Sequence, residues 1–303
     1  MIHRYKLDDL PDRFPLACQW EITCRCNLHC VMCYTDCFNR PEKIRQELST
    51  DEILRIMDEL AEAGCLELCL TGGEPLTRPD FFQLYEHATR LGFLVTLFTN
   101  GTLITEPVAD RLAALPPHRI EISLHGLTED TFETITLGRG SFQRCRQAIA
   151  WLIERRIPLT LKTTAMTLNH QEILAIKQYV QGLGSVHYKL GEDMRPALDG
   201  SGEPFHFAMP PKALDDLNAQ DPQLWKESCQ KQAQDTLPCR SGMQRFHIDA
   251  YGFLQLCSGN RAQGYDLRTG SFKEGFYDHL PGFGCRWKAA ATPVSLDSRV
   301  THA

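Results

Sequence analysis

The chain has 303 residues, of which 43% are hydrophobic and 23% are charged, and its formal net charge is −6. These proportions are typical of a globular protein. The absence of a basic block argues against a nucleic-acid surface. The sequence contains no run of ~18 apolar residues that could cross a membrane and no apolar signal segment in its first residues. We therefore expect a cytoplasmic protein that binds neither nucleic acid nor membrane.

Thirteen cysteines are many for such a chain. Disulfides are rare in the reducing cytoplasm, so most of these thiols are not expected to be paired with one another. Clustered cysteines in a cytoplasmic protein indicate metal or redox chemistry instead.

Apolar stretches that predict β-strands recur six times before residue 195. They read ACQWEIT, CLELCL, FLVTLFT, HRIEISL, IPLTLKTTAM and SVHYKLG. Amphipathic segments that predict helices separate them, and the first helix begins at Ser49 with a capping pattern. Regular alternation of this kind predicts an α/β fold, a partial (β/α)6 barrel of parallel strands. In such sheets the loops after the strands form the functional site.

The pattern changes near residue 196, where a stretch rich in Pro and Gly begins. We predict a core domain over residues 1–195 and a small, cysteine-rich domain over 196–303. A helix is predicted at about 212–232. QRFHIDAYGFLQLC is then predicted to form a hairpin that turns at Gly252.

Three cysteines follow the first predicted strand in C-x3-C-x2-C spacing: Cys26, Cys30 and Cys33. Thiolates on one short loop suit a 4Fe–4S cluster, and three ligands would leave one iron open to a small molecule. A zinc knuckle that uses Cys30 and Cys33, or simple packing, is the alternative. Cys24 and Cys37 flank the motif and are not expected to be ligands.

The stretch WEITCRCNLHCVMCY (20–34), with an aromatic residue after the third cysteine, resembles the signature of radical S-adenosylmethionine (radical SAM) enzymes. TGGEP (71–75) resembles the second motif of that family. FTNG, SLHG and LKTTAMTLN, which follow later strands, are also similar, so the likeness extends over residues 16–195. The resemblance implies a 4Fe–4S cluster and S-adenosylmethionine (SAM) as cofactors. One electron would cleave SAM, and the resulting radical would abstract a hydrogen atom.

The resemblance also implies contacts with SAM. The backbone of Gly72 and Gly73 would approach SAM closely, and Glu74 would offer a carboxylate to its ammonium group. Tyr34 would lie near the adenine, and Ser123 would contact the ribose or the carboxylate.

Four further residues stay open at this point: His125, Arg139, Glu192 and Asp193. His125 is structural or functional. Arg139 either pairs with the SAM carboxylate or is solvated. Glu192 and Asp193 are candidate bases in a formylglycine-forming reaction.

Cys239-x12-Gly252-x4-Cys257 resembles the SPASM and twitch extensions of radical SAM enzymes, which bind auxiliary clusters. The resemblance implies one auxiliary 4Fe–4S cluster with ligands from Cys229, Cys239, Cys257 and Cys285. The alternative is that these are buried or exposed thiols without a metal. The further cysteine run of a full SPASM domain is missing, so a second auxiliary cluster is not expected.

DMRPALDGSGEP and SLHGLTEDTFETIT resemble segments of SPASM enzymes that modify ribosomally made peptides. The expected function is therefore peptide maturation by crosslinking, epimerisation or oxidation, with flavodoxin or ferredoxin as electron donor. Alternatives are a sulfatase maturase that forms formylglycine and a small-molecule radical SAM dehydrogenase. From another class, a non-catalytic iron–sulfur electron carrier is the alternative.

Overall fold

One sheet of nine strands organises the chain in the computed structural model, which describes residues 12–235 and 241–285. The strands are β1 (Ala17–Glu21), β2 (Glu67–Thr71), β3 (Leu94–Thr99), β4 (Arg119–Ser123), β5 (Leu159–Thr164), β6 (His187–Gly191), β7 (Arg245–Ile248), β8 (Phe253–Gln255) and β9 (Tyr265–Asp266). Their order in the sheet is β6-β5-β4-β3-β2-β1-β7-β8-β9.

Helices connect the first six strands. They are α1 (Pro41–Ile44), α2 (Thr50–Glu62), α3 (Phe81–Arg90), α4 (Glu106–Ala114), α5 (Glu129–Thr136), α6 (Ser141–Glu154) and α7 (Ile173–Gly182), followed by α8 (Pro211–Ala219), α9 (Pro222–Asp235) and α10 (Phe272–Glu274). Strands β1 to β6 pair in parallel with their neighbours, and β6 and β9 are the edges of the described sheet. The predicted partial (β/α)6 barrel is therefore confirmed.

Side chains alternate along the strands between a face that packs in the core and a face that borders a cavity. Trp20, Leu68, Leu97 and Ile122 point to one face and are fully buried. Gln19, Thr71, Phe98 and Ser123 lie on the opposite face and border a cavity. Side chains two residues apart share a face of a strand, so apolar residues on one face build the core, and Phe98 together with polar residues on the other face lines the cavity.

Helix α2 begins as its sequence predicts. The Ser49 side chain accepts a hydrogen bond from the Glu52 backbone, and the Glu52 carboxylate accepts one from the Ser49 backbone. This capping box satisfies N–H groups that a helix start leaves unpaired.

The prediction of a single helix at about 212–232 is wrong, because two helices, α8 and α9, occupy this region. Pro222 starts the second helix. Its lack of an N–H prevents it from continuing the first helix, and Asp221 caps the backbone of Gln223 and Leu224.

The segment after residue 240 continues the sheet of the barrel. β7 pairs in parallel with β1, and β8 and β9 follow in antiparallel register. The predicted hairpin is present, with Gly252 at its turn in a left-handed conformation (φ 90°). The division into two domains at residue 195 remains a prediction. Within the described residues, no helix has the length and apolar character required to cross a membrane.

Candidate functional site

The loop that carries Cys26, Cys30 and Cys33 follows β1 and is fixed at both ends. Asn39 accepts a hydrogen bond from the Cys26 backbone N–H at 3.2 Å and donates to its carbonyl at 3.0 Å. The backbone of Val31 donates to Ile135 at the end of α5 at 2.9 Å. These hydrogen bonds hold the loop between the end of β1 and α5.

A buried carboxylate supports the start of this loop. Oε1 of Glu47 accepts hydrogen bonds from the Thr23 hydroxyl (2.8 Å), the Cys24 backbone (2.7 Å) and the Cys24 thiol (3.0 Å). Its Oε2 lies 3.6 Å from Arg25 Nε and 3.9 Å from Arg78 Nη1. The Cys24 thiol thus donates to Glu47, and its exclusion from the ligand set stays a prediction.

A cavity of about 520 Å³ lies at the C-terminal ends of the parallel strands. Most of the residues predicted from the sequence border it: Cys26, Cys30, Cys33, Tyr34, Gly72, Gly73 and Ser123. Glu74 is not among its lining residues. Each of the six parallel strands β1 to β6 contributes lining residues to this cavity, because parallel strands end at the same edge of the sheet.

The two glycines after β2 allow a close approach of backbones. A Cβ on Gly72 would lie 2.3 Å from the Thr23 carbonyl oxygen, and one on Gly73 would lie 2.3 Å from that of Arg25. Gly73 N donates to Thr23 O at 2.9 Å. Only glycine fits at these positions, and it places bare backbone on the cavity next to the cysteine loop.

Glu74 is fully buried and ties two loops together. Its carboxylate accepts hydrogen bonds from the Thr99 hydroxyl (2.8 Å), the Leu76 backbone (3.1 Å) and the Asn100 backbone (2.7 Å). Burial raises the pKa of Glu74 to about 7, although these hydrogen bonds act in the opposite direction. A contact of Glu74 with SAM stays a prediction.

The three cysteines border one cavity, and cysteine thiolate is the ligand that iron–sulfur clusters use. Burial raises the pKa of Cys26 to about 12, and it also raises the pKa values of Cys30 and Cys33. A bound metal deprotonates a coordinating thiol outright. Among the described residues, no three His, Cys, Asp or Glu side chains converge on the position of a single metal ion.

Tyr34, directly after Cys33, is held by a buried charge network that the sequence did not indicate. Its hydroxyl donates to Glu21 Oε1 at 3.3 Å, and Glu21 accepts two hydrogen bonds from Arg261. The guanidinium groups of Arg195 and Arg261 lie 5.8 and 5.7 Å from the Tyr34 ring centroid. Opposite charges at distant sequence positions carry no periodic signal, so this network becomes visible only in the fold.

Two of the four open residues border the cavity. Nδ1 of His125 accepts a hydrogen bond from the Thr164 backbone at 3.2 Å, and burial lowers the pKa of His125 to about 4, so its ring is neutral. Asp193 also borders the cavity. Glu192 accepts a hydrogen bond from Asn218 at 2.8 Å, and Arg139 is exposed outside the cavity lining.

The C-terminal cysteines are brought together only in part. Asn260 donates its backbone N–H to the Cys257 carbonyl at 3.1 Å and its side chain to the carbonyl of Gly284, next to Cys285, at 2.8 Å. Cys257 borders a second cavity of about 320 Å³. Cys229 is exposed on α9, and Cys239 lies outside the described residues. The ligand set of the auxiliary cluster stays a prediction.

Comparison with known proteins gives three results. The sequence profile of the Radical SAM superfamily matches residues 20–180, more than half of the chain. An AdoMet-dependent heme synthase of Methanosarcina barkeri is 36% identical over 174 residues, which are 57% of this chain and 49% of that protein. A PqqA peptide cyclase of Bradyrhizobium diazoefficiens is 31% identical over 164 residues, 54% of this chain and 43% of that protein. The chain thus spans about half the length of these curated relatives.

Among solved structures, SuiB of Streptococcus suis bound to S-adenosylmethionine superposes with a TM-score of 0.71 at 16% identity. The superposition covers 89% of this chain and 67% of SuiB. SuiB is also known in complex with its precursor peptide SuiA. At this level of identity, the likeness extends to the fold alone.

Proposed function

Because this chain belongs to the radical SAM superfamily, we propose that it is an enzyme that cleaves SAM reductively at a 4Fe–4S cluster and removes a hydrogen atom from a substrate. The observation that carries this proposal is the shared cavity of Cys26, Cys30, Cys33, Gly72 and Gly73. Thiols, which suit iron, and bare backbone, which leaves room for a ligand, border the same cavity.

Cys26, Cys30 and Cys33 would hold the cluster and leave one iron without a protein ligand. When bound, the cluster supplies the electron that breaks a carbon–sulfur bond of SAM, and the radical chemistry belongs to the cofactor. The protein binds and orients SAM and shields it from water. Gly72 and Gly73 offer backbone groups to SAM, and Tyr34 and Ser123 border the same space. Glu74 would act on SAM directly or by holding the Gly-Gly turn in place.

The substrate of this proposed enzyme is a ribosomally made peptide. Similarity to a PqqA peptide cyclase and the SuiB fold support this assignment. A reduced flavodoxin or ferredoxin would supply the electron, and the cytoplasm would be the site of the reaction. Cys229, Cys239, Cys257 and Cys285 would hold one auxiliary cluster in a C-terminal domain that begins near residue 196.

A small-molecule substrate is the second candidate, since the heme synthase of M. barkeri is 36% identical over 57% of this chain. Of the two candidate bases of the formylglycine-forming alternative, Asp193 borders the cavity, whereas Glu192 lies outside its lining and accepts a hydrogen bond from Asn218.

Two measurements test the proposal. Anaerobically reconstituted protein, given SAM and dithionite, should release 5′-deoxyadenosine, whereas an electron carrier would release none. Mass spectrometry of a peptide encoded next to this gene, incubated with the enzyme, should detect a loss of two hydrogens or uptake of deuterium from solvent. Release of 5′-deoxyadenosine without any modification of the peptide would favour the small-molecule substrate.

A further inference from the structure

Two lysines lie side by side on the wall of the site cavity. Lys162 of β5 and Lys189 of β6 are register partners in parallel strands, and both border the cavity of about 520 Å³. Neighbouring strands lie only about 4.8 Å apart. Register partners project to the same face, and like charges placed directly opposite one another are destabilising. The stability of the fold therefore does not explain this pair.

The pair is only partly neutralised by the protein. Nζ of Lys162 lies 3.3 Å from Oε2 of Glu121, an ion pair without hydrogen-bond geometry. Among the residues that the structure describes, no carboxylate lies within ion-pair distance of Lys189. Among the described residues, two carboxylates, Glu121 and Asp193, border the cavity together with three cations, Lys162, Lys189 and Arg195. One wall of the cavity thus carries an excess of positive charge.

Arg195 is a third cation that borders the same cavity. Nη1 of Arg195 donates to the Ser258 hydroxyl at 2.8 Å, and its guanidinium lies 5.8 Å from the centroid of the Tyr34 ring. Within residues 12–235 and 241–285, no carboxylate is paired with Arg195. Tyr34 follows Cys33 and Ser258 follows Cys257, so Arg195 lies between the two cysteine regions.

We propose that Lys162, Lys189 and Arg195 form a binding site for a carboxylate of the substrate, an assignment that rests on the function proposed above. Ammonium and guanidinium groups make short, strong hydrogen bonds to carboxylates. A bound carboxylate would remove the repulsion between the two lysines. The acidic side chain of a peptide and the carboxylate of a small molecule share this chemistry.

Binding to the full, reconstituted chain tests the site without substrate turnover. Isothermal titration calorimetry would compare a short blocked peptide rich in glutamate, the same peptide with glutamine at those positions, and glutarate. The glutamate peptide or glutarate should bind about tenfold or more tightly than the glutamine peptide. Tighter binding of the peptide points to a peptide substrate, and tighter binding of glutarate points to a small molecule.

The variant Lys189→Gln keeps a hydrogen-bond donor but removes the charge. Its preference for the glutamate peptide over the glutamine peptide should fall about tenfold. Lys273→Gln, an exposed position outside the cavity lining, is the matched control and should keep it. Equal binding of the two peptides to the unaltered chain would overturn the assignment. A defect of Lys189→Gln confined to SAM binding would also overturn it, because the lysines would then serve the carboxylate of SAM.

Release of 5′-deoxyadenosine by the same preparation separates the two proposals. Cleavage of SAM without preference for the acidic probes would reject the carboxylate site and leave the proposed function standing. Absence of cleavage would reject the proposed function.

Discussion

Arg261 donates two hydrogen bonds to the carboxylate of Glu21, one of them at 2.8 Å, across a separation of 240 residues. The pair joins the loop after Cys257 to the first strand of the barrel, and Tyr34 next to the cysteine motif bonds to the same carboxylate. Burial alone would raise the pKa of Glu21, but His247 and Arg261 outweigh it and the pKa is lowered. The C-terminal segment is therefore tied directly to the candidate cluster loop.

Replacement of Arg261 by Gln should reduce the free energy of unfolding by about 3–5 kcal/mol, because Glu21 would remain charged and buried without its partner. Urea denaturation measures the change. Arg111→Gln is the matched control, since Arg111 forms an exposed pair with Glu86 that should contribute at most about 1 kcal/mol. Equal losses in the two variants would contradict the role given to the buried pair.

Gly73→Ala should disrupt the candidate cluster loop. Its new Cβ would lie 2.3 Å from the backbone oxygen of Arg25, and a backbone atom cannot move aside as the end of a flexible side chain can. We expect a loss of most of the iron that the unaltered chain binds on anaerobic reconstitution, measured by metal analysis.

Gly182→Ala serves as the control for that variant. Gly182 lies at the end of α7, and a Cβ there has no heavy atom within 4 Å. Alanine favours a helix over glycine by about 1 kcal/mol, so this variant should keep its iron and be at least as stable. Normal iron content in Gly73→Ala would show that the close approach is not required.

Glu74 should make stability depend on pH. Its pKa is about 7 in the folded chain against an ordinary value of 4.5, so the folded state holds a proton that the unfolded state has lost between these values. The contribution of Glu74 to the free energy of unfolding is fully present below about pH 4.5 and is lost as the pH rises through about 7. The free energy of unfolding then falls by at most about 1.4 kcal/mol per pH unit.

The difference in unfolding free energy between the unaltered chain and Glu74→Gln isolates this contribution, because His125 and other buried groups titrate in both proteins. As the pH rises from 4.5 to 7, the unaltered chain should lose unfolding free energy relative to the Glu74→Gln variant. A difference that is constant over this range would mean that Glu74 is ionised throughout.

Cys257→Ala should separate SAM cleavage from product formation. Cys257 borders the second cavity and not the one lined by Cys26. We expect this variant to release 5′-deoxyadenosine without product, whereas Cys26→Ala should release none. Cys24→Ala, whose thiol is bonded to Glu47, should retain cleavage. Identical behaviour of the Cys257 and Cys26 variants would refute the proposed division of roles.

Much of the barrel could be predicted because its signals are local. Each strand from β1 to β6 appears as a short apolar run, and the cap of α2 at Ser49 is encoded within four residues. The cysteine motif and the Gly-Gly turn could be placed at one cavity because both follow parallel strands.

Features that depend on distant pairs could not be predicted. β7 pairs in parallel with β1, although many residues separate the two strands along the chain, and no local pattern specifies such a partner. The hydrogen bonds of Glu74 to Thr99 and Asn100 form only when β2 and β3 lie side by side. The juxtaposition of Lys162 and Lys189 likewise depends on strand register.

The central claim is that Cys26, Cys30 and Cys33 hold a cluster with one iron free of protein ligands. Mössbauer spectroscopy of the Cys257→Ala chain, reconstituted with ⁵⁷Fe and measured before and after addition of SAM, tests it most directly. We expect a 4Fe–4S spectrum in which one iron site changes when SAM binds. A spectrum without a 4Fe–4S signal, or one in which no iron site changes on addition of SAM, would contradict it.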